Sequence, residues 1–404
     1  MFDRRLKQLR LARGYTLEEL AAKTGGIVTK QALSKYERGK IRPSIVVLNK
    51  IAEALGTRAA NLYKESDINI EIIAFRKVSR LPKKALARIA SCVSSALEER
   101  LQLQELAGIT FSGLPEGQTA GRSSTSPRLP IQSMTVRNLD DVEAAAETLR
   151  LNWNLGLDEI SSMTETLENH SVHIIEIDTP HKLDGVAAIA RIGKNKVKAA
   201  AVANKTGVPG ERQRLNLAHE LGHLVLNVPE NMDEEKAAFR FGAAFLAPSE
   251  MIFKEVGKNR AFILPEELLM LKRRFGLSIA ALLYRFRDLN IISETYYRNW
   301  CIEISKLGWK QREPNEIDSE RSNWVRKVVL RGLSEGILSV EEARRFLGES
   351  IEHEEPFSLI EKKAFLKLPL QERRKLLAEQ ATKLSSEYDD NPEVYGIGGG
   401  DFDQ

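Results

Sequence analysis

Residues 217–226 read LAHELGHLVL. Leu217, Leu221, Leu224 and Val225 recur at the spacing of one buried helix face, so the stretch reads as a helix. His219 and His223, four positions apart, then project from one side about one turn from each other. Two neutral imidazole nitrogens so placed suit Zn²⁺, which binds them at about 2.0–2.1 Å. Glu220, beside the first of them, is placed to take a proton from a water polarised by that ion, for attack on a peptide carbonyl. The chain has only six His, and such a pair beside Glu is expected by accident in roughly one such chain in a hundred.

Catalytic zinc takes three protein ligands and keeps one position open, so a third donor is needed. Residues 233–250, DEEKAAFRFGAAFLAPSE, form a second helix. Its stripe of Ala237, Ala238, Phe241, Ala244 and Phe245 allows it close to the first. Glu235 precedes that stripe and is the leading candidate, with Glu234 its nearest competitor and Asp233 beside them. The plainer alternative is that three acids at a helix start favour its dipole. Upstream lie a helical stretch, DVEAAAETLRLNWNLG (141–156), and two β-branched runs, VHIIEI (172–177) and VKAAAVAN (197–204). The expected middle domain is therefore α+β with a small sheet.

The segments RQRLNLAHELGHLVLN (212–227), EKAAFRFGAAFLAP (235–248) and RRFGLSIAALLYRFRDLNIIS (273–293) resemble the ImmA/IrrE family of zinc metallopeptidases, over about residues 138–298. The resemblance implies a zincin-like fold, with His219, His223 and Glu235 as gluzincin-like zinc ligands and Glu220 as general base. It further implies Zn²⁺ as cofactor, with Mn²⁺ as the alternative, and a helix-turn-helix repressor as the protein cleaved. Phe239 departs from the family, which usually has Asn, His or Asp there, a group able to support a ligand. His170, His173, His181 and His353 are expected to be structural or surface residues.

The first 60 residues differ in texture and charge, with 13 Lys/Arg against 5 Asp/Glu in a chain whose formal net charge is +4. A basic head of this kind points to a polyanion. Short helices are expected here, with Thr16 and Glu19 forming a capping box and Thr29 capping the next helix. That second helix exposes Thr29, Lys30, Gln31, Ser34 and Lys35 toward its N-terminal end, suited to base edges in a major groove. Arg38, Lys40 and Arg42 follow, placed for phosphates. A solvated basic face is the competing reading. LKQLRLARGYTLEELAAKTG (6–25) with TKQALSKYERGKIRPSIVVLNKIAEALG (29–56) resembles the XRE/Cro-C1 helix-turn-helix family, although its GGIVT turn is about two residues longer than usual. The resemblance implies a double-stranded DNA operator and, as such modules usually read two half-sites, a homodimer.

The expected fold is mainly α with an α+β middle domain. It comprises a five-helix helix-turn-helix domain (1–63), a helical connector (64–111), a flexible linker (112–133), the metallopeptidase domain (134–300) and a helical C-terminal module with an acidic tail (318–404). The linker expectation rests on the Gly, Ser, Thr and Pro of FSGLPEGQTAGRSSTSPRLP. Residues 384–404 hold six acids and no Lys or Arg, and the end of the chain is weakly similar to bacterial antitoxins. With two Cys, no run of roughly 20 apolar residues and no signal-peptide core, a cytoplasmic protein without disulfides is expected. The function expected is a DNA-binding regulator with a zinc endopeptidase domain. The alternative is a repressor or antitoxin that uses the metallopeptidase fold as a sensing or dimerisation body.

Overall fold

Thr16, Thr29 and Ser44 each end an extended stretch and accept a backbone N–H three residues on, opening the head's helices. In the computed structural model these are α2 (Leu17–Lys23), α3 (Lys30–Glu37) and α4 (Ile45–Ala54), preceded by α1 (Phe2–Ala12) and followed by a 3₁₀ turn, Ala59–Leu62. Leu6, Leu20, Leu33, Ile51, Leu55 and Leu62 fill the space between them. Buried Arg10 locks the bundle: its Nε and Nη2 donate to Glu37 at 2.6 and 2.9 Å, and Nη1 to the Tyr15 carbonyl at 2.7 Å. Two charges in so dry a place hold because each satisfies the other bidentately.

The structure describes residues 2–63, 68–73, 82–108, 133–179, 185–192, 196–349, 365 and 368–378. The expected linker (112–133), apart from its last residue, the acidic tail, His181 and His353 all lie outside the described residues. Two units are distinguished, Met1–Gly348 and Glu349–Gln404, and within the second residues 370–378 are helical.

The expected helical connector needs correction. Its first described part is strand β1 (Ile68–Ile72), because INIEI alternates apolar and polar residues with period two rather than 3.6. Only then comes helix α5 (Lys83–Leu106). β1 pairs antiparallel with β4 (Val186–Ile192), β4 antiparallel with β5 (Lys196–Lys205), and β5 parallel with β3 (Val172–Ile177), giving the order β1-β4-β5-β3. A separate parallel pair joins β2 (Met134–Thr135) to β6 (Leu226–Asn227).

Both sheet faces are covered. On one, Ile89, Val93, Leu97 and Leu101 of α5 pack over Ile175 and Ile177 of β3, Ala188 and Ala190 of β4, and Ala199, Ala201 and Ala203 of β5. On the other lie α6 (Leu139–Asn152), α7 (Met163–Asn169), α8 (Gly210–Val225) and α9 (Glu234–Leu246), sharing a core with Ile174, Ala187, Ala200 and Val202. The far side of α5 carries the head: Arg5 pairs with Glu98, the Gln8 amide donates to Glu98 at 3.2 Å, and the Cys92 thiol donates to the Ala12 carbonyl at 3.1 Å.

Helices α10 (Ser249–Val256), α11 (Pro265–Phe275), α12 (Ile279–Asp288) and α13 (Glu294–Lys306) complete the body, followed by α14 (Trp324–Ser334) and α15 (Val340–Leu347). Between α13 and α14 an extended strap places its carboxylates on helix starts. Glu320 accepts the Thr164 N–H at 2.6 Å and pairs with Arg214 at 2.5 Å. Glu313 accepts the Ile279 N–H at 2.9 Å and pairs with fully buried Lys272 at 3.0 Å. Acids at helix N-termini meet unpaired N–H groups and the positive end of the dipole.

Candidate metal centre and nucleic-acid interface

Helix α8 leaves its donor side chains buried: His219, Glu220 and His223 are 7%, 4% and 8% exposed. The imidazole Nε2 atoms of His219 and His223 lie 3.1 Å apart. Glu235, at the start of α9, completes the cluster, one carboxylate oxygen 3.5 Å from His219 Nε2 and the other 3.5 Å from His223 Nε2. Four donors at about 2.0–2.1 Å around a tetrahedral ion stand about 3.3–3.4 Å from each other. The two imidazole nitrogens stand near that spacing and each has one of the two Glu235 oxygens at 3.5 Å, so the three residues gather the donor types that a divalent metal ion takes.

The two helices meet because small residues face each other. A Cβ on Gly242 would stand 2.9 Å from the His219 backbone nitrogen, and one on Gly222 3.1 Å from the Cα of Ala238. The expected stripe of Ala237, Ala238, Phe241, Ala244 and Phe245 is buried in this contact and the adjoining core. Asp233, one of the competing acids, accepts the N–H groups of Glu235 and Lys236 at 3.0 and 3.3 Å and so caps α9.

Glu234, the other competitor, sits instead on the outer nitrogen of His223, its Oε1 3.2 Å from Nδ1. A carboxylate there fixes the tautomer that leaves Nε2 as the free donor. Burial, and then the neighbouring His219, pushes His223 below the ordinary histidine range, which favours the neutral form a metal requires. His219 lacks such support: its Nδ1 is buried without a hydrogen-bond partner among the described residues, and Phe239 lies against its ring with centroids 4.2 Å apart.

Glu220 is seated by a residue distant in sequence. A Cβ on Gly185, just before β4, would stand 2.5 Å from Glu220 Cγ and 2.7 Å from its Oε1. Sequence reasoning did not single out Gly185, Gly242 or Gly222. The i,i+4 repeats of small residues, Ala218 with Gly222 and Ala238 with Gly242, are the signal that marks the helix contact. His170 stacks on Trp153 at 4.0 Å, and His173, buried and pushed down to about 3 by desolvation, meets Trp324 edge-on. Neither joins the donor triangle.

In the head, α3 presents Lys30, Gln31 and Lys35 to solvent, with Ser34 half-buried between them. Thr29 is exposed, and its hydroxyl accepts the Ala32 N–H at 3.2 Å. Lys30 pairs with Glu18 of α2. Arg38, Lys40 and Arg42 follow on the exposed loop. Gly25 and Gly26 take the left-handed backbone, at φ 69° and 76°, which accommodates the longer turn between the two helices.

Residues 6–62 match a helix-turn-helix family model. An uncharacterised regulator of this type from Sinorhizobium fredii, y4dJ, is 37% identical over 60 residues, 15% of this chain and 75% of that protein. The chain belongs to the helix-turn-helix transcriptional regulators. SinR of Bacillus licheniformis is 41% identical over 68 residues, 17% of this chain and 60% of SinR. YonR, a prophage-derived uncharacterised regulator of Bacillus subtilis, is 33% identical over 72 residues, 18% of this chain and 65% of YonR. The chain thus spans somewhat less than two thirds of the length of those two relatives. Residues 202–287, which include the whole donor triangle, match the IrrE N-terminal-like domain of peptidase family M78. The regulator therefore carries a DNA-binding domain of XRE type and a domain of a metallopeptidase family. Among the described residues no helix is long and apolar enough to cross a membrane.

Proposed function

We propose that this regulator is a zinc-dependent endopeptidase that cleaves a helix-turn-helix repressor, its own DNA-binding head bringing it to operators in double-stranded DNA. The observation that carries the reading is the triangle of His219, His223 and Glu235 at ligand spacing, with Glu220 next to it. A bound Zn²⁺, or Mn²⁺ in its place, supplies Lewis acidity to the scissile carbonyl and to water. Glu220 is the general base: its carboxylate accepts a proton from the attacking water and returns it to the leaving amine. Glu234 holds the ring of His223, and the close approach of Gly185 keeps Glu220 in position. In the head, Thr29, Lys30, Gln31, Ser34 and Lys35 meet the major groove, and Arg38 and Lys40 the backbone.

The decisive experiment incubates the purified chain and Zn²⁺ with helix-turn-helix repressors of the same genome, beside Glu220→Gln and His219→Ala. Fragments are expected from the wild type alone. Elemental analysis should find the ion retained by Glu220→Gln and lost from His219→Ala. Equal fragment yields from wild type and Glu220→Gln, or none from either, would transfer support to a sensing or dimerisation body without proteolysis.

A further inference from the structure

We propose that Lys84 and Arg88, on the first turns of α5, extend the DNA-binding surface of the head onto the phosphates that flank the base-reading helix. The inference rests on the DNA-binding reading above, and it adds residues outside the helix-turn-helix segment of 6–62.

A cleft of about 630 Å³ separates the head from the start of α5. One wall is Thr16 and Leu17, where α2 begins, with Lys30, where α3 begins; the other includes Lys84 and Arg88. A helix-turn-helix turns these two helix starts to DNA, the second toward base edges and the first across the backbone. Cations across a cleft from those starts share the face on which backbone phosphates run. Lys84 and Arg88 are both exposed and stand four positions apart, one above the other on the helix.

On their own helix no acid precedes Glu98. Between Glu71 and Glu98 the sequence contains no Asp or Glu and six Lys/Arg. Across the cleft Glu18 pairs with Lys30, and Glu19, whose carboxylate accepts the Thr16 backbone N–H at 2.7 Å in the capping box of α2, is a single acid set against the two cations.

The placement is also fixed. α5 is clamped to α1 through Glu98 and Cys92 and buried against the sheet through Ile89, Val93 and Leu97. The backbone that carries the two cations is therefore held before binding and needs no rearrangement to present them. The helix that closes the peptidase sheet thus serves the DNA-binding head, which gives the fusion of the two domains a physical purpose.

The test uses the full chain and a labelled duplex that the wild type recovers from a random-sequence pool, titrated over a series of NaCl concentrations. Each phosphate contact contributes about 0.9 to the slope of log K against log salt. Lys84→Ala should flatten the slope by about 0.9 and Lys84→Ala/Arg88→Ala by about 1.8, with the preferred sequence unchanged. Arg298→Ala/Lys306→Ala removes the same charge from α13 and should leave the slope at the wild-type value. Lys84→Ala alone guards against a disturbed head, because the Arg88 guanidinium rests over Gly14. A double variant whose slope equals that of the α13 control would overturn the proposal. A wild type that recovers no duplex would overturn the DNA-binding reading itself, and the α5 contact with it.

Discussion

In the head, the side chains assigned to base reading stand on one eight-residue helix and its cap, nearly all of them exposed. In the proposed metal centre, three of the four assigned side chains are buried, and the fourth arrives from a different helix. An exposed reader needs only a correctly started helix, which Thr29 provides. A buried donor set needs two backbones at glycine distance and a carboxylate seated by a third element. Local chemistry builds the first region and tertiary contact the second, so the two should break in different ways.

The largest effect is expected where the tertiary dependence is greatest. Gly185→Val places carbon atoms where the Glu220 side chain now lies. Peptide cleavage should fall by about 10²–10⁴-fold, the usual value of general acid–base help, while zinc content stays at the wild-type level. Wild-type cleavage rates in that variant would show that Glu220 is seated locally after all, and the contrast would fail.

Arg10→Ala probes a place where the head too depends on a contact between distant residues. It strands Glu37, whose side chain is 8% exposed, without its guanidinium. Loss of one partner of a buried pair costs about 3–5 kcal/mol, so calorimetry should show the head melting earlier. The metal content should not change. A head that melts unchanged would mean that the bundle core alone suffices.

The smallest effect concerns a carboxyl in the body whose burial outweighs its partners. Desolvation raises Glu168 to about 7, although the Ser322 hydroxyl, Arg100 and Lys327 act to lower it. A folded-state pKa above the unfolded value of 4.5 adds stability in full below that value, and the contribution disappears as pH rises through about 7. Glu168→Gln should therefore stabilise the chain by on the order of 1–3 kcal/mol above about pH 8, and by little near pH 4. Thermal melts at the two pH values check this; equal gains at both would assign the effect to packing.

Much of this was legible from residue order. The capping box of Thr16 and Glu19, the cap at Thr29 and the leucine spacing of the head are short-range patterns, and the structure repeats them. His219 and His223 share a face because four residues make about one helical turn. The strand at Ile68–Ile72 escapes a helical reading of 64–111 because five residues of period two are easily lost beside 24 helical ones. The strap between α13 and α14 carries no local pattern that marks its carboxylates as caps. Its Glu313 and Glu320 are caps only by virtue of the helix starts that folding brings to them.

Residue order alone set the helices of the head, the spacing of the imidazoles and the placing of the proposed readers on α3, because each depends on interactions within about one helical turn. Packing decided how the three acids at the start of α9 divide their work: Glu235 toward both imidazoles, Glu234 behind His223, Asp233 on the helix start. It alone placed Gly185 under Glu220 and laid α5 between the sheet and the head. Neighbouring acids in a sequence are chemically equivalent until packing gives each a different direction.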